Sequence, residues 1–130
     1  MTFVDTSFWV ALQFRDDQHH ADARSLWSAH PGPLLTTNHV MGETWTFLRR
    51  RAGHGAARDF RQAAERLVTL VSVHVDESTE DEAWGWLVRH DESAYSFVDA
   101  TSFAVMRRKR IRGALAFDGD FSAAGFAEVR

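Results

Sequence analysis

Hydrophobic and polar positions along the chain switch repeatedly between a period of two and a period near 3.6. Met1 to Val4 is a short β-prone run that ends at Asp5. Behind it Phe8, Trp9, Ala11 and Leu12 recur at helical spacing, which predicts a helix from a Thr6 or Ser7 cap to about Phe14. Arg15-Asp16-Asp17-Gln18 is a polar break. His20 to Ala29 resumes as a second helix, closed by the turn His30-Pro31-Gly32-Pro33. Leu34 to Thr37 reads as a second strand. Asn38 is then expected to cap a helix through about Arg51, with Val40, Met41, Thr44, Phe47 and Leu48 at helical spacing. Gly53-His54-Gly55 interrupts it, and Ala56 to Leu67 forms a further amphipathic helix. In Leu70 to Val75, Val71, Val73 and Val75 alternate with Ser72 and His74, the signature of a half-buried strand.

Ser78 and Asp81 match a capping box for a helix to about Arg89, with Trp84, Leu87 and Val88 expected to face the core. Ser96 opens another helix through Arg108. Ala114 to Phe117 reads as a strand, Asp118 to Phe121 as a turn, and Ala127 to Val129 as a last edge strand. Strands alternating with helices in this way predict a three-layer α/β/α sandwich around a central, mostly parallel sheet. No repeat, low-complexity tract or linker divides the sequence, so a single domain over residues 1–130 is expected.

Composition narrows the chemistry. An apolar fraction of 45% and a charged fraction of 25% are those of an ordinary globular chain. The absence of cysteine excludes disulfides, thiolate metal sites and cysteine nucleophiles, and agrees with a reducing cytoplasm. The first residues resemble a strand and not a signal peptide, and no apolar run is long enough to span a bilayer, so a cytoplasmic protein is expected. A formal net charge of -3 is not that of a generic nucleic-acid binder. Any such function needs a local basic surface, a bound cation, or both. Arg49-Arg50-Arg51 and Arg107-Arg108-Lys109-Arg110 are basic runs near predicted helix C-termini, where the helix dipole favours them; contact with RNA phosphates is the functional alternative. The seven histidines lack the paired spacing of a zinc protease and read as mostly surface residues, and the five tryptophans suit core packing or a dimer interface. There is no Gly-x-Ser-x-Gly elbow, no P-loop and no dinucleotide fingerprint.

Four acids fall at junctions. In open α/β sheets ligands bind beyond the carboxyl ends of the strands. Asp5 and Asp118 each follow a predicted strand, Glu43 lies one to two turns into a helix after a strand, and Asp99 lies in the first turn of the Ser96 helix. Each has an ordinary role open to it: Asp5 and Asp99 as caps, Glu43 as a solvated helix residue, Asp118-Gly119-Asp120 as a turn. Together they are compatible with one rim of one sheet. Carboxylates crowded there repel unless a cation neutralises them, and oxygen-only ligands suit Mg²⁺ or Mn²⁺. Such a site can polarise a phosphoryl oxygen and activate water for phosphodiester hydrolysis without a protein nucleophile.

The same junctions carry a resemblance. Phe3-Val4-Asp5-Thr6-Ser7, Thr36-Thr37-Asn38-His39-Val40-Met41-Gly42-Glu43, Ser96-Phe97-Val98-Asp99-Ala100-Thr101-Ser102 and Ala116-Phe117-Asp118-Gly119-Asp120-Phe121 resemble, in order, the motifs of the PIN-domain family, most nearly its VapC-type toxins of bacterial toxin–antitoxin pairs. The resemblance spans essentially the whole chain. It implies a Mg²⁺- or Mn²⁺-dependent endoribonuclease in which Asp5, Glu43 and Asp99 match the three most constant acids and Asp118 the more variable fourth, with Asp120 able to share its role. Thr6 and Ser7 match the hydroxyl residues beside the first acid and are expected to position Asp5 or a metal-bound water. It further implies a homodimer, an RNA substrate, and a small antitoxin whose C-terminal segment enters the groove. The rivals are a structure-specific DNA nuclease of the same chemistry and a non-catalytic module that binds nucleic acid or a partner in the groove.

Overall fold

A computed structural model describes residues 1–129. These form five strands and seven helices in the order β1 (Thr2–Val4), α1 (Thr6–Gln13), α2 (His20–Ala29), β2 (Leu34–Thr37), α3 (Asn38–Ala52), α4 (His54–Arg66), β3 (Leu70–Val73), α5 (Glu77–Arg89), α6 (Phe97–Lys109), β4 (Gly113–Leu115), α7 (Asp120–Ala123) and β5 (Ala127–Glu128). The strands make one sheet in the order β3-β2-β1-β4-β5, and every neighbouring pair is parallel. This is the expected sandwich, with the sheet parallel throughout.

The central strands are apolar runs because both faces are covered. Phe3 and Val4 in β1, Leu34 and Leu35 in β2, and Ala114 and Leu115 in β4 are all buried. The two faces hold separate aromatic clusters. Trp9 of α1 packs against Trp27 of α2 and Phe60 of α4, whereas Phe103 of α6 packs against Trp86 of α5, Tyr95, Phe121 and Phe126. Buried threonines in β2 are satisfied locally: the Thr36 hydroxyl donates to the Val4 carbonyl at 3.0 Å, and the Thr37 hydroxyl accepts from Val40 N at 3.1 Å.

That last bond moves one expected cap. Thr37, not Asn38, caps α3, because Asn38 Oδ1 is taken by Val75 N at 2.8 Å. Likewise Asp5 caps α1 in place of Thr6 or Ser7, and Asp76 caps α5 in place of Ser78. Gly53 alone breaks α3 from α4, so the latter begins at His54. β3 ends at Val73, leaving the buried Val75 outside the strand, and β4 ends at Leu115. The expected turn after Asp118 includes the short helix α7. The core face of α5 is also rotated from the expected one. Thr79, Ala83 and Trp86 are buried and Leu87 is half-buried, whereas Trp84 is 56% and Val88 87% exposed. The small Ala83 lies on the buried face, which suits close packing of α5 on α6. No helix among the described residues is long and apolar enough to cross a membrane.

Candidate metal centre

Parallel pairing of β1 with β4 brings two acids together. Val4 lies opposite Leu115, so Asp5 and Asp118 leave the same edge of the sheet. Asp99 enters from the first turn of α6 and Glu43 from the second turn of α3. Asp5, Glu43 and Asp118 line one cleft of about 340 Å³ together with Thr6 and Ser7. Asp99, Asp118 and Asp120 each bring a carboxylate oxygen within 4.8 Å of the others. Asp118 therefore belongs to both groups, and Asp120 stands beside it in the second. Glu43 faces the cleft from α3 without entering the tight group.

Two of these acids also serve the starts of helices. Asp5 Oδ2 accepts from Ser7 N at 3.1 Å and from Ser7 Oγ at 2.8 Å. Its other oxygen, Oδ1, is buried with no hydrogen-bond partner. Asp99 Oδ2 accepts from Ser96 N at 2.9 Å, closing the capping box in which Ser96 Oγ accepts from Asp99 N. Asp118 Oδ1 accepts from Asp120 N at 3.1 Å, and Asp120 Oδ1 accepts from Ser93 Oγ at 2.8 Å. Ser7 Oγ also accepts from Phe117 N at 3.0 Å, tying the start of α1 to the chain just beyond β4. Thr6 Oγ1 is a second buried, unpartnered oxygen beside Asp5.

Burial and mutual repulsion raise these acids. The Asp5 carboxyl is pushed from 3.8 to about 8, first by burial and then by the charge of Asp118, against the lowering effect of the Ser7 bonds. Asp99 is pushed to about 7, again chiefly by burial, with Asp118 and Asp120 adding to it. Asp118 is raised by burial and by Asp120 and Glu128. A buried carboxylate oxygen without a donor is costly to keep, and a divalent cation would supply what it lacks. The donors are oxygens alone, the chemistry of Mg²⁺ or Mn²⁺ sites.

Several cleft residues carry no signal in the sequence. His19 reads there as a surface residue, yet its ring lies flat on Phe117 at 4.5 Å, and both line the cleft with Asp17 and Phe47. Ser93, which holds Asp120, lies in a loop with no motif.

An α/β sheet whose strand ends gather carboxylates in this manner places the chain in a known class: residues 2–127 match the PIN domain, and the chain belongs to that family. The chain is 62% identical over 131 residues to the 23S rRNA-specific endonuclease VapC20 of Mycobacterium tuberculosis, covering 100% of this chain and 98% of that protein. The crystal structure of Mycobacterium tuberculosis VapC20, described as a sarcin–ricin loop cleaving toxin, superposes with a TM-score of 0.94 at 58% identity, covering 100% of this chain and 99% of that one. A toxin–antitoxin complex from Klebsiella pneumoniae superposes with a TM-score of 0.71 at 14% identity, over 100% of this chain and 97% of that one, and shares the fold.

Proposed function

We propose that this PIN-domain protein is an endoribonuclease, the toxin of a toxin–antitoxin pair, that cuts the sarcin–ricin loop of 23S rRNA with the help of Mg²⁺ or Mn²⁺. The target rests on one observation, the 62% identity running end to end with a toxin of that specificity. The metal rests on the orphaned Asp5 Oδ1 facing an acid cluster.

Asp5, Asp99 and Asp118 would hold the cation, with Glu43 closing the cleft from α3 and Asp120 supporting Asp118. Bound there, it supplies a Lewis acid for the phosphoryl oxygen and lowers the pKa of a water. The chain's own residues do the rest. Ser7 holds Asp5 by its Oδ2, so that Oδ1 alone is offered. The Asp5 and Asp99 carboxyls release protons as they take up the cation, which ties affinity to pH. The outer face of His19, whose ring is stacked on Phe117, would offer an aromatic surface to a base, and the unpartnered Thr6 hydroxyl beside Asp5 would take a bridging water as its partner. A cognate antitoxin would occupy the same cleft. A homodimer would cover Trp84, which is exposed on α5 and stacks on Phe97 at 4.4 Å.

Mapping of RNA ends after incubation with purified ribosomes tests the target. One cut in the loop is expected in Mg²⁺ or Mn²⁺, lost in chelator and in Asp5→Asn or Asp99→Asn. Absence of that cut from the wild-type digest, or its persistence in both variants, overturns the assignment. Matched single-stranded and flapped DNA separate this chemistry from that of a DNA nuclease.

A further inference from the structure

Beside the acid cleft lies a second depression of about 720 Å³, and the two share Glu43 and Phe47 as walls. It follows the outer face of α3, past His39 and Thr46 to Arg50 and Arg51, with Val98 of α6 on its far side. Neither arginine pairs with a carboxylate among the described residues. The Arg51 guanidinium instead lies over the Phe47 ring, 4.9 Å from its centroid. The helix dipole accounts for positive charge at the end of α3, but not for a trough that leads from that charge into the cleft. Arg50 and Arg51 lie seven and eight residues past Glu43, about 11 Å along the helix. They therefore enter the trough about a turn beyond Phe47, at its end away from Glu43.

We propose that this trough is the track for the RNA strand running out of the cleavage cleft, with Arg50 and Arg51 on phosphates beyond the scissile one. It rests on the ribonuclease assignment and gives it a direction. The chain carries a net charge of -3 and its cleft is acidic, so RNA phosphates meet repulsion over most of this surface. A cation at the acids offsets that for one phosphate only. The unpaired arginines do so for its neighbours, and Phe47 fixes one of them in place through a cation–π contact.

The test measures binding of a synthetic sarcin–ricin stem–loop to the cleavage-deficient Asp5→Asn protein across a KCl series. It compares that protein with the same protein carrying Arg50→Gln and Arg51→Gln. Each single-strand phosphate that the protein no longer neutralises lowers the salt slope by about 0.7, so the double change should lower it by about 1.4. Referred to 1 M salt, that is about 25-fold weaker binding at 0.1 M. With Asp5 restored, KM should rise while kcat holds, and lysine at both positions should recover the slope. An unchanged slope and KM overturn the track. A double variant that binds RNA normally but no longer co-purifies with its antitoxin makes the trough a protein-docking surface and also overturns it. Whether the wild type cuts the loop is read before either arginine is changed, so failure of the target and failure of the track are separate results.

Discussion

Asp5→Asn should abolish cleavage and yet make the metal-free protein more stable at alkaline pH. The asparagine side chain is nearly isosteric, and its oxygen can still accept from Ser7 N, so the α1 cap survives. What disappears is a buried negative charge. Holding the carboxyl at about 8 in the fold against 3.8 in the free chain corresponds to roughly 6 kcal/mol at 1.36 kcal/mol per pH unit. Between about pH 4 and pH 8 the folded protein keeps a proton that the unfolded chain gives up. Stability of the metal-free wild type therefore falls as pH rises through that window and levels off above it. The variant should recover at least part of this, about 2 kcal/mol, or about 8 °C in Tm for a chain of this size. Calorimetry in EDTA at several pH values checks this. The two proteins should melt together near pH 4 and diverge steadily toward pH 8. Added Mn²⁺ should then raise the wild type and leave the variant unmoved. A variant no more stable than wild type at pH 8, or a difference that ignores pH, refutes the account of Asp5 as a charge held in reserve for a cation.

Further outcomes follow from the geometry. Ser7→Ala removes the acceptor for Phe117 N and the hydroxyl bond to Asp5, one of the two Ser7 bonds that lower its pKa, so it should cost about 1–3 kcal/mol by denaturant titration and shift the pH–rate profile to higher pH. Asp118→Asn should lower kcat at saturating Mn²⁺ by about 100-fold or more. Asp120→Asn, whose acid is already engaged by Ser93, should lower it less and act mainly on metal affinity, as titration calorimetry would show. Glu43→Gln should weaken Mn²⁺ binding while leaving the stability of the metal-free protein within about 0.5 kcal/mol of wild type, since Glu43 stands apart from the tight group. For the proposed homodimer, Trp84→Glu should lower the dimer fraction in sedimentation without altering the melting of the monomer, because this ring lies outside the core.

Much of the sandwich is legible from periodicity, because apolar runs such as Phe3-Val4 and Leu34-Leu35 are what a sheet covered on both faces requires. The misplaced details share a cause: local signals compete, and distant contacts decide between them. Asn38 is as good a cap as Thr37 until Val75 arrives from beyond β3 to claim its side chain. Trp84 and Val88 look like core residues until Ala83 and Trp86 set the rotation of α5 against α6. The alternation through Val75 misleads because β3 is an edge strand, with Val71 half exposed and the buried Val75 already past its end.

The acids show a different kind of ambiguity. From sequence alone, Asp5 and Asp99 divide between two readings, helix cap or metal ligand. In the fold Asp5 caps α1 and lines the cleft with Asp118, while Asp99 completes a capping box and belongs to the tight group. One Asp5 oxygen is spent on Ser7 while the other is left bare, and Asp99 closes its capping box with Oδ2 while facing Asp118 and Asp120. The two readings compete only while a carboxylate is treated as a single acceptor. His19 and Phe117 were beyond reach, since residues so far apart in sequence give no sign that their rings will stack.

The bond from Phe117 N to Ser7 Oγ spans almost the whole length of the chain. During synthesis Asp5 and Ser7 leave the ribosome early, while β4, Asp118 and Phe117 follow only after nearly everything else. Until then β1 lacks one of its two neighbours, and the cleft lacks a wall and an acid. A growing chain thus carries its first acid long before it has a cleft to use it in, and the site closes only as the last strands dock.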